Sequence, residues 1–349
     1  MHDIKINNRK IGPSHPVYII AEMSANHNQD FDAAVELIHI AKDCGVDAIK
    51  IQTYTPDTIT LDCDNDYFQI GKGTIWEGRT LYDLYGEAYT PWEWQPKLKE
   101  IANSLGLDLF STPFDSTAVD FLEEMDVPVH KIASFELVDL PLIRKVAATG
   151  KPVIMSTGMG TLSEIDEAVR TFREAGGKDL ILLKCTSSYP APYETMNLRT
   201  MQNMQETFNV PCGLSDHSMG IEVPVAAVAL GACVIEKHFI KSRAEGGPDS
   251  SFSLEAHELT AMVESVRNTE KALGKVQYQV TEKEKAGQVF RKSIFISKDI
   301  AAGQVLTSEN TRCVRPGHGL HTRHYDDVLG KKVNKDTAAG TPVSWDILQ

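Results

Sequence analysis

Eight short runs, rich in apolar and β-branched residues, recur through the first three quarters of the chain: "VYIIAEM", "DAIKIQT", "LDLFST", "VHKIAS", "PVIMST", "LILLKCT", "VPCGLSD" and "ACVIEKHF". Between most of them lie segments of helical period, such as "DFDAAVELIHIAKDCG" and "LSEIDEAVRTFREAGG". Runs this continuously apolar suit parallel strands covered on both faces. Eight of them, each with its helix, predict closure into an α/β fold of the (β/α)8 TIM-barrel type, in preference to an open doubly wound sheet. A hydrophobic content of 42% supplies the core for it. A longer insertion, roughly Tyr54 to Pro91, separates the second strand from its helix.

The alternation stops after Gly274. "KVQYQVTEKEKAGQ" is polar and reads as a linker, and short strands and turns follow from about Arg291. The expected division is a barrel over 1–275, a linker over 276–290 and a small β-rich domain over 291–349. That domain carries an internal repeat, "KDIAAGQVL" at Lys298–Leu306 and "KDTAAGTPV" at Lys335–Val343, read as two hairpin-like units with pseudo-symmetry. A module of this size is marginal as an independent core, so it is expected to lean on something else.

Barrels of this type carry their chemistry at the C-terminal ends of the strands. Those ends are polar here. In order they carry Glu22; Lys50 and Gln52; Ser111 and Thr112; Lys131, Ser134 and Glu136; Ser156 and Thr157; Lys184, Thr186, Ser187 and Ser188; Ser215, Asp216 and His217; then Glu236, Lys237 and His238. Lysines supply point charges for phosphate or carboxylate, and hydroxyls supply donors. The competing reading makes Lys50 and Lys131 interior ion-pair partners of Glu22 or Glu136. A single Ser or Thr is as well suited to capping the next helix.

The run "GLSDHS" spells out Ser, Asp and His, yet it is no hydrolase triad. Along an extended chain Ser215 and His217 share a face, and Asp216 points the other way. His217 ends the seventh strand and His238 the eighth. Neighbouring strands lie about 5 Å apart, so the two imidazoles are placed to share one divalent ion: Mn2+, Fe2+, Co2+, Zn2+ or, less naturally, Mg2+. The alternative is that each imidazole only hydrogen-bonds in the barrel mouth. Asp216 is read as structural.

A formal net charge of -13 argues against a nucleic-acid or anionic-membrane partner. The six cysteines show no C-x-x-C spacing and several sit in apolar runs, which suits free thiols in a reducing cytosol. The N-terminus lacks a signal-peptide core, and no stretch approaches membrane-spanning length. A cytoplasmic protein is expected.

Taken together, "AEMSANHNQ", "DAIKIQTYTPD", "FSTPFD", "HKIASFE", "MSTGM", "KCTSSYPAP", "GLSDHS", "VIEKHF" and "GGPDSSFSL" resemble the nonulosonic (sialic) acid synthases. "VRPGHGL" and "LGKKV" resemble their antifreeze-like (SAF) domain. The resemblance spans nearly the whole chain. It implies condensation of phosphoenolpyruvate with an open-chain amino sugar and water, releasing phosphate by C–O cleavage. It also implies a divalent metal (Mn2+, Mg2+ or Co2+) on His217 and His238 to activate the sugar aldehyde. Lys50, Thr112, Lys131, Ser134, Ser156, Ser187 and Ser215 would hold phosphoenolpyruvate, with Ser187 standing where the sialic acid synthases usually carry Asn. Glu22 is the implied residue for proton handling or water activation. Glu136, Tyr189, Glu236 and Asp249 would contact the sugar or metal-bound water. Arg315 would reach the sugar from a partner subunit in a domain-swapped homodimer.

Within the family, "IKIQTYTPD", "KIASFE" and the "TIWEGRTLYDLYGEAYTPWEW" insertion are most similar to the branch acting on 2,4-diacetamido-2,4,6-trideoxy-L-altropyranose to give pseudaminic acid. The N-acetylneuraminate and legionaminate branches share the chemistry and differ in the sugar. A metal-dependent aldolase would use the histidines without Lys50 and Lys131. A sugar- or ice-binding protein built on the C-terminal module would need neither.

Overall fold

The computed structural model describes residues 2–349. Eight parallel strands close on themselves: β1 Tyr18–Glu22, β2 Ala48–Thr53, β3 Asp108–Pro113, β4 His130–Ile132, β5 Val153–Ser156, β6 Leu180–Cys185, β7 Cys212–Asp216 and β8 Val234–Ile240. Each pairs with the next in chain order, and β8 pairs with both β7 and β1. The helices that return from one strand to the next are α1 Phe31–Cys44, α2 Gln95–Ser104, α3 Ser116–Glu124, α4 Leu140–Ala147, α5 Leu162–Glu174, α6 Arg199–Phe208 and α7 Glu222–Ala229, and α8 Ala256–Leu273 follows β8. Their boundaries follow local chemistry. Asp30 caps α1 and Gly45 ends it at φ 80°, a left-handed conformation that suits glycine. Thr161 and Glu164 form a capping box at the start of α5.

Strand alternation splits the core into two shells. Ile19, Ile49, Leu109, Met155, Leu182, Leu214 and Ile235 face the helices. Tyr18, Ile20, Ala48, Phe110, Ile154, Leu183 and Val234 fill the barrel interior. Ile4, Ile6 and Ile11 join the interior shell. They lie on a short antiparallel hairpin, Ile4–Ile6 with Arg9–Ile11. Asn7 of its turn bonds Asp108, the first residue of β3, so the hairpin closes the end of the barrel opposite the strand C-termini. Reading that segment simply as polar misses this plug. Its three-residue strands are too short to show a period.

The chain folds into two compact units, Met1–Gly274 and Lys275–Gln349. The polar stretch at the start of the second unit contains a short helix, Glu282–Lys285, with a Thr281/Glu284 capping box. Strands Ser293–Ile296 and Thr311–Val314 pair antiparallel. The unit has its own core of Ile294, Ile296, Ile300, Leu306, Val328, Val333 and Val343.

The two repeats are not separate hairpins. They pair with each other, with Ile300 N–H on Thr337 O at 3.0 Å and Thr337 N–H on Ile300 O at 2.8 Å. Asp299 accepts from Ala339 N–H and Asp336 accepts from Ala302 N–H, both at 2.8 Å. The reciprocal bonds make the repeat a pseudo-twofold clasp. Each Asp satisfies the turn of the other copy, a long-range pairing that local turn signals do not reveal. No helix among the described residues is long and apolar enough to cross a membrane. All six cysteines are free thiols.

Candidate active site at the barrel mouth

The inward positions at the strand C-termini bring the expected charges into one buried cluster. Lys50 Nζ lies 2.6 Å from Glu22 Oε2, 3.6 Å from Glu236 Oε1 and 3.3 Å from Thr112 Oγ1. Lys131 Nζ donates to Ser156 Oγ at 2.7 Å and lies 3.9 Å from Glu236. Ser215 Oγ donates to Glu236 at 3.1 Å, and Gln52 to Glu22 at 3.0 Å.

Burial and neighbours set the protonation of each group. Burial raises the Glu22 carboxyl, partly offset by Lys50. Burial would also raise Glu236, but Lys131 and Lys50 hold it below the ordinary value. Burial pushes the Lys131 ammonium down. Burial opposes the charge on Lys50 too, yet Glu22 and Glu236 keep it above the usual lysine range. The interior ion pair of Lys50 with Glu22 does form, while Lys131 leans on Glu236 rather than Glu136.

Next to this cluster Ser134, Ser187 and Gly158 converge. Gly158 N–H donates to Ser134 Oγ at 3.1 Å. A Cβ on Gly158 would stand 2.2 Å from Ser187 Oγ and 2.7 Å from Ser134 Oγ, so only glycine leaves this hydroxyl-lined hollow open. Gly158 is a site residue that a reading of polar strand ends passes over. The signal for it is the glycine shortly after the β5 end in "MSTGM".

His217 follows β7 directly. His238 is inside β8, two residues before its end, rather than at it. Their ring centroids are 5.3 Å apart. His217 Nδ1 faces Thr186 O at 3.1 Å; donation there leaves Nε2 with its lone pair free. His238 Nδ1 is buried without a partner, and Asp249 Oδ2 stands 4.0 Å from it. Burial, with the positive charge of Lys50 adding to it, pushes His238 well below the ordinary imidazole value. The two imidazoles are donors of the type that a divalent ion takes. Among the described residues no three His, Cys, Asp or Glu side chains are arranged to hold a metal ion together, so the two imidazoles are the protein donors an ion here would have.

Cys185, the last inward residue of β6, packs against His217 with Sγ 3.8 Å from Nδ1. The Tyr189 ring packs at a tilt against His217, with centroids 4.3 Å apart, and against Phe252 at 5.0 Å. Asp249 accepts a hydrogen bond from Ser24 Oγ. Glu136 is pushed up to about 7 by burial. It lines a cavity of about 500 Å3 with Phe135, Ile59, Phe114 and Leu142. One oxygen each of Glu136 and Glu236 is buried without a partner, as expected of groups arranged for a ligand.

Several strand-end residues point elsewhere. Ser111 faces the helices and bonds Thr53 Oγ1 at 2.6 Å. Thr157 Oγ1 donates to Leu183 O at 3.0 Å. Lys184 turns outward to Cys185 O at 2.7 Å. Each sits one residue out of phase with the inward set. Arg315 belongs to the second unit, where it lines a cavity of about 490 Å3 with Phe290, Arg291, Lys292 and His321.

Asp216 and Lys237 also face outward, and they form an ion pair in which neither side chain is exposed. Asp216 also accepts from Ser218 N–H at 2.9 Å, and Lys237 donates to Ser218 O. The pair therefore ties together the two strand ends that carry His217 and His238. Lys237→Met is expected to lose about 3–5 kcal/mol of stability, because it leaves Asp216 buried and uncompensated. In urea unfolding, the double variant Asp216→Asn/Lys237→Met should recover most of that loss. A loss below about 1 kcal/mol in Lys237→Met would show that the pair does not hold these strands.

A closed parallel barrel whose mouth gathers buried lysines, hydroxyls and two imidazoles is the architecture of a barrel enzyme. The NeuB family model matches residues 37–278, and the SAF domain model matches residues 291–349. A pseudaminic acid synthase of Helicobacter pylori is 44% identical over 96% of this chain and 98% of its own length. One of Campylobacter jejuni subsp. jejuni is 47% identical over 93% of this chain and 94% of its own. The crystal structure of an N-acetylneuraminic acid synthetase from Leptospira borgpetersenii, in complex with citrate, superposes with a TM-score of 0.72 at 34% identity, covering 82% of this chain and 95% of that one. The chain belongs to the NeuB family. It is an enzyme of the sialic-acid-synthase type, with an SAF domain at its C-terminal end.

Proposed function

We propose that this enzyme condenses phosphoenolpyruvate with open-chain 2,4-diacetamido-2,4,6-trideoxy-L-altrose and water to give pseudaminic acid and phosphate. The observation that carries the reading is the convergence of buried Lys50 and Lys131 with the Thr112, Ser134, Ser156 and Ser187 hydroxyls beside the His217–His238 pair. The pseudaminic acid synthases at 44% and 47% identity point to the sugar.

Charge counting supports a bound cation. Glu236, and Glu22 when ionised, offset the positive charge of Lys50 and Lys131. An anionic substrate needs more positive charge than they offer. A divalent ion held by His217 and His238 would supply it and would polarise the sugar aldehyde as a Lewis acid.

The protein's own groups then have distinct tasks. Lys131, Ser134, Ser156 and Ser187 hold one end of phosphoenolpyruvate, and Lys50, Thr112 and Ser215 orient the rest. C3 of phosphoenolpyruvate attacks the aldehyde carbon. Water adds at C2, and phosphate leaves with its bridging oxygen. Glu22, kept protonatable by burial, handles a proton near the reacting carbons. Glu136, pushed up to about 7, exchanges a proton with the sugar near neutral pH. Tyr189, Glu236 and Asp249 face the sugar side of the mouth. Phe135 lines the cavity beside Glu136 and gives it an apolar wall, which suits a deoxy, acetamido-bearing sugar.

The C-terminal unit of a second copy, bringing Arg315, would close the mouth and exclude water. Leu61, Tyr67, Ile75, Met159, Leu162 and Tyr193, all on segments that follow strand C-termini, expose apolar surface suited to such a lid.

The test is phosphate release with phosphoenolpyruvate against a panel of amino sugars. We expect the trideoxy diacetamido sugar in the altro configuration to have the highest kcat/KM, and N-acetylmannosamine to fall well below it. A higher kcat/KM for N-acetylmannosamine, or for the legionaminate precursor, would overturn the sugar assignment. No phosphate release with any sugar would overturn the reaction.

A further inference from the structure

The insertion between β2 and α2 carries a hairpin arm. Ile70 N–H donates to Arg79 O at 2.8 Å, Gly78 N–H to Ile70 O at 3.1 Å, and Leu81 N–H to Phe68 O at 2.9 Å, so residues 68–81 run as a hairpin. Its tip is bounded by Gly73 at φ 96° and Gly78 at φ 84°, left-handed conformations that favour glycine. Gly73, Thr74, Ile75 and Glu77 are exposed, and Trp76 between them is half-buried.

Trp76 turns toward the mouth. Its Nε1–H donates to the backbone oxygen of Pro248 at 3.0 Å, one residue before Asp249. Its ring lies 5.7 Å from that of Tyr189, which in turn packs against His217 at 4.3 Å. An indole therefore forms the outer member of a row of tilted aromatic rings that starts at the histidine pair.

We infer that Trp76 is a specificity-determining residue that walls the distal end of the sugar. The inference rests on the proposed condensation, in which the aldehyde end of the sugar lies at His217 and His238. The rest of the chain then runs outward along Tyr189 to the depth of the indole. An indole offers a broad apolar face with its one polar atom at the edge. That atom is already satisfied by Pro248, so the free face suits methyl and acetamido groups rather than hydroxyls. The acceptor class that follows is a deoxy, N-acylated sugar.

The experiment compares Trp76→Ala and Trp76→Phe in the full-length enzyme, with sugar and phosphoenolpyruvate varied separately. For Trp76→Ala we expect the KM for the trideoxy diacetamido sugar to rise about 10–100-fold, the range a hydrophobic pocket contact commands. The KM for phosphoenolpyruvate should stay within about twofold. Trp76→Phe keeps an apolar face and loses the N–H donor, so it should recover most of the loss. Titrating the sugar without phosphoenolpyruvate should change the tryptophan emission of the wild type, and Trp76→Phe should lack most of that change.

If Trp76 only pins the Pro248–Asp249 loop, Trp76→Phe falls as far as Trp76→Ala, and the inference is overturned. An unchanged sugar KM in an active Trp76→Ala enzyme also overturns it. Failure of the underlying reading looks different, because the wild type then releases no phosphate with any amino sugar. If the wild type prefers another sugar, the same variants are measured with that one, and an unchanged KM there decides against Trp76.

Discussion

Replacing either His217 or His238 with alanine is expected to lower kcat by about a thousandfold or more while the barrel stays folded. Lewis-acid activation of a carbonyl is worth several kcal/mol, and each 1.36 kcal/mol is tenfold in rate. The fold should tolerate both changes. His217 makes a polar contact only with a backbone oxygen and the Cys185 thiol, and the Nδ1 of His238 has no partner to orphan. The readouts are the circular dichroism spectrum, Mn2+ affinity by titration, and turnover. Either variant should bind Mn2+ at least tenfold more weakly, because half of the protein's imidazole donors are gone. Exhaustive chelation of the wild type should remove activity, and added Mn2+ should restore it. Undiminished turnover in the chelated enzyme would refute the metal role.

Much of this site is legible in the sequence because a parallel barrel obeys two simple rules. Strand ends point at the active face, and alternate residues share a side. Glu22, Lys50, Thr112, Ser156, Ser215 and Glu236 follow from those rules alone, and Asp216 is correctly read as facing away from His217. The same rules, applied strictly in phase, separate Lys131 from Lys184. Lys131 stands in step with Lys50, whereas Lys184 precedes the inward Cys185 and turns toward the helices.

What escapes the sequence is set by contacts between distant segments. Trp76 lies in an insertion whose length and resemblance are visible in the sequence, but its bond to Pro248, 172 positions away, and its contact with Tyr189 show that it faces the mouth. Gly158 looks like a turn glycine until Ser134 and Ser187 are seen to occupy the space of its missing side chain. The repeat of the C-terminal unit is visible as text, yet its reciprocal Asp299 and Asp336 bonds depend on two segments meeting in space. The N-terminal plug, with strands of three residues each, has no periodic signature at all.

The second large effect tests the proposal that the C-terminal unit of one chain serves the barrel of another. His217→Ala and Arg315→Ala homodimers are each expected to be inactive, and dimers formed by refolding the two together should regain activity. His217→Ala spoils the barrel and leaves its C-terminal unit sound. Arg315→Ala leaves the barrel sound and removes a guanidinium from the cavity it lines with Phe290 and Lys292. If each C-terminal unit serves the other chain, a mixed dimer places the intact unit of the His217→Ala chain over the intact barrel of the Arg315→Ala chain. One site in two is then whole. Random pairing makes half of the dimers mixed, so the pool should show about a quarter of wild-type activity. If each unit serves its own barrel, every chain in the mixture carries one defect, and nothing is regained. The expected regain requires dimers, so sedimentation of the wild type must show twice the chain mass. A monomeric enzyme with full activity would defeat the exchange outright. Mixed dimers isolated through two different affinity tags remove the remaining ambiguity. Activity in them no greater than in either parent would place Arg315 in the same chain as the barrel it serves.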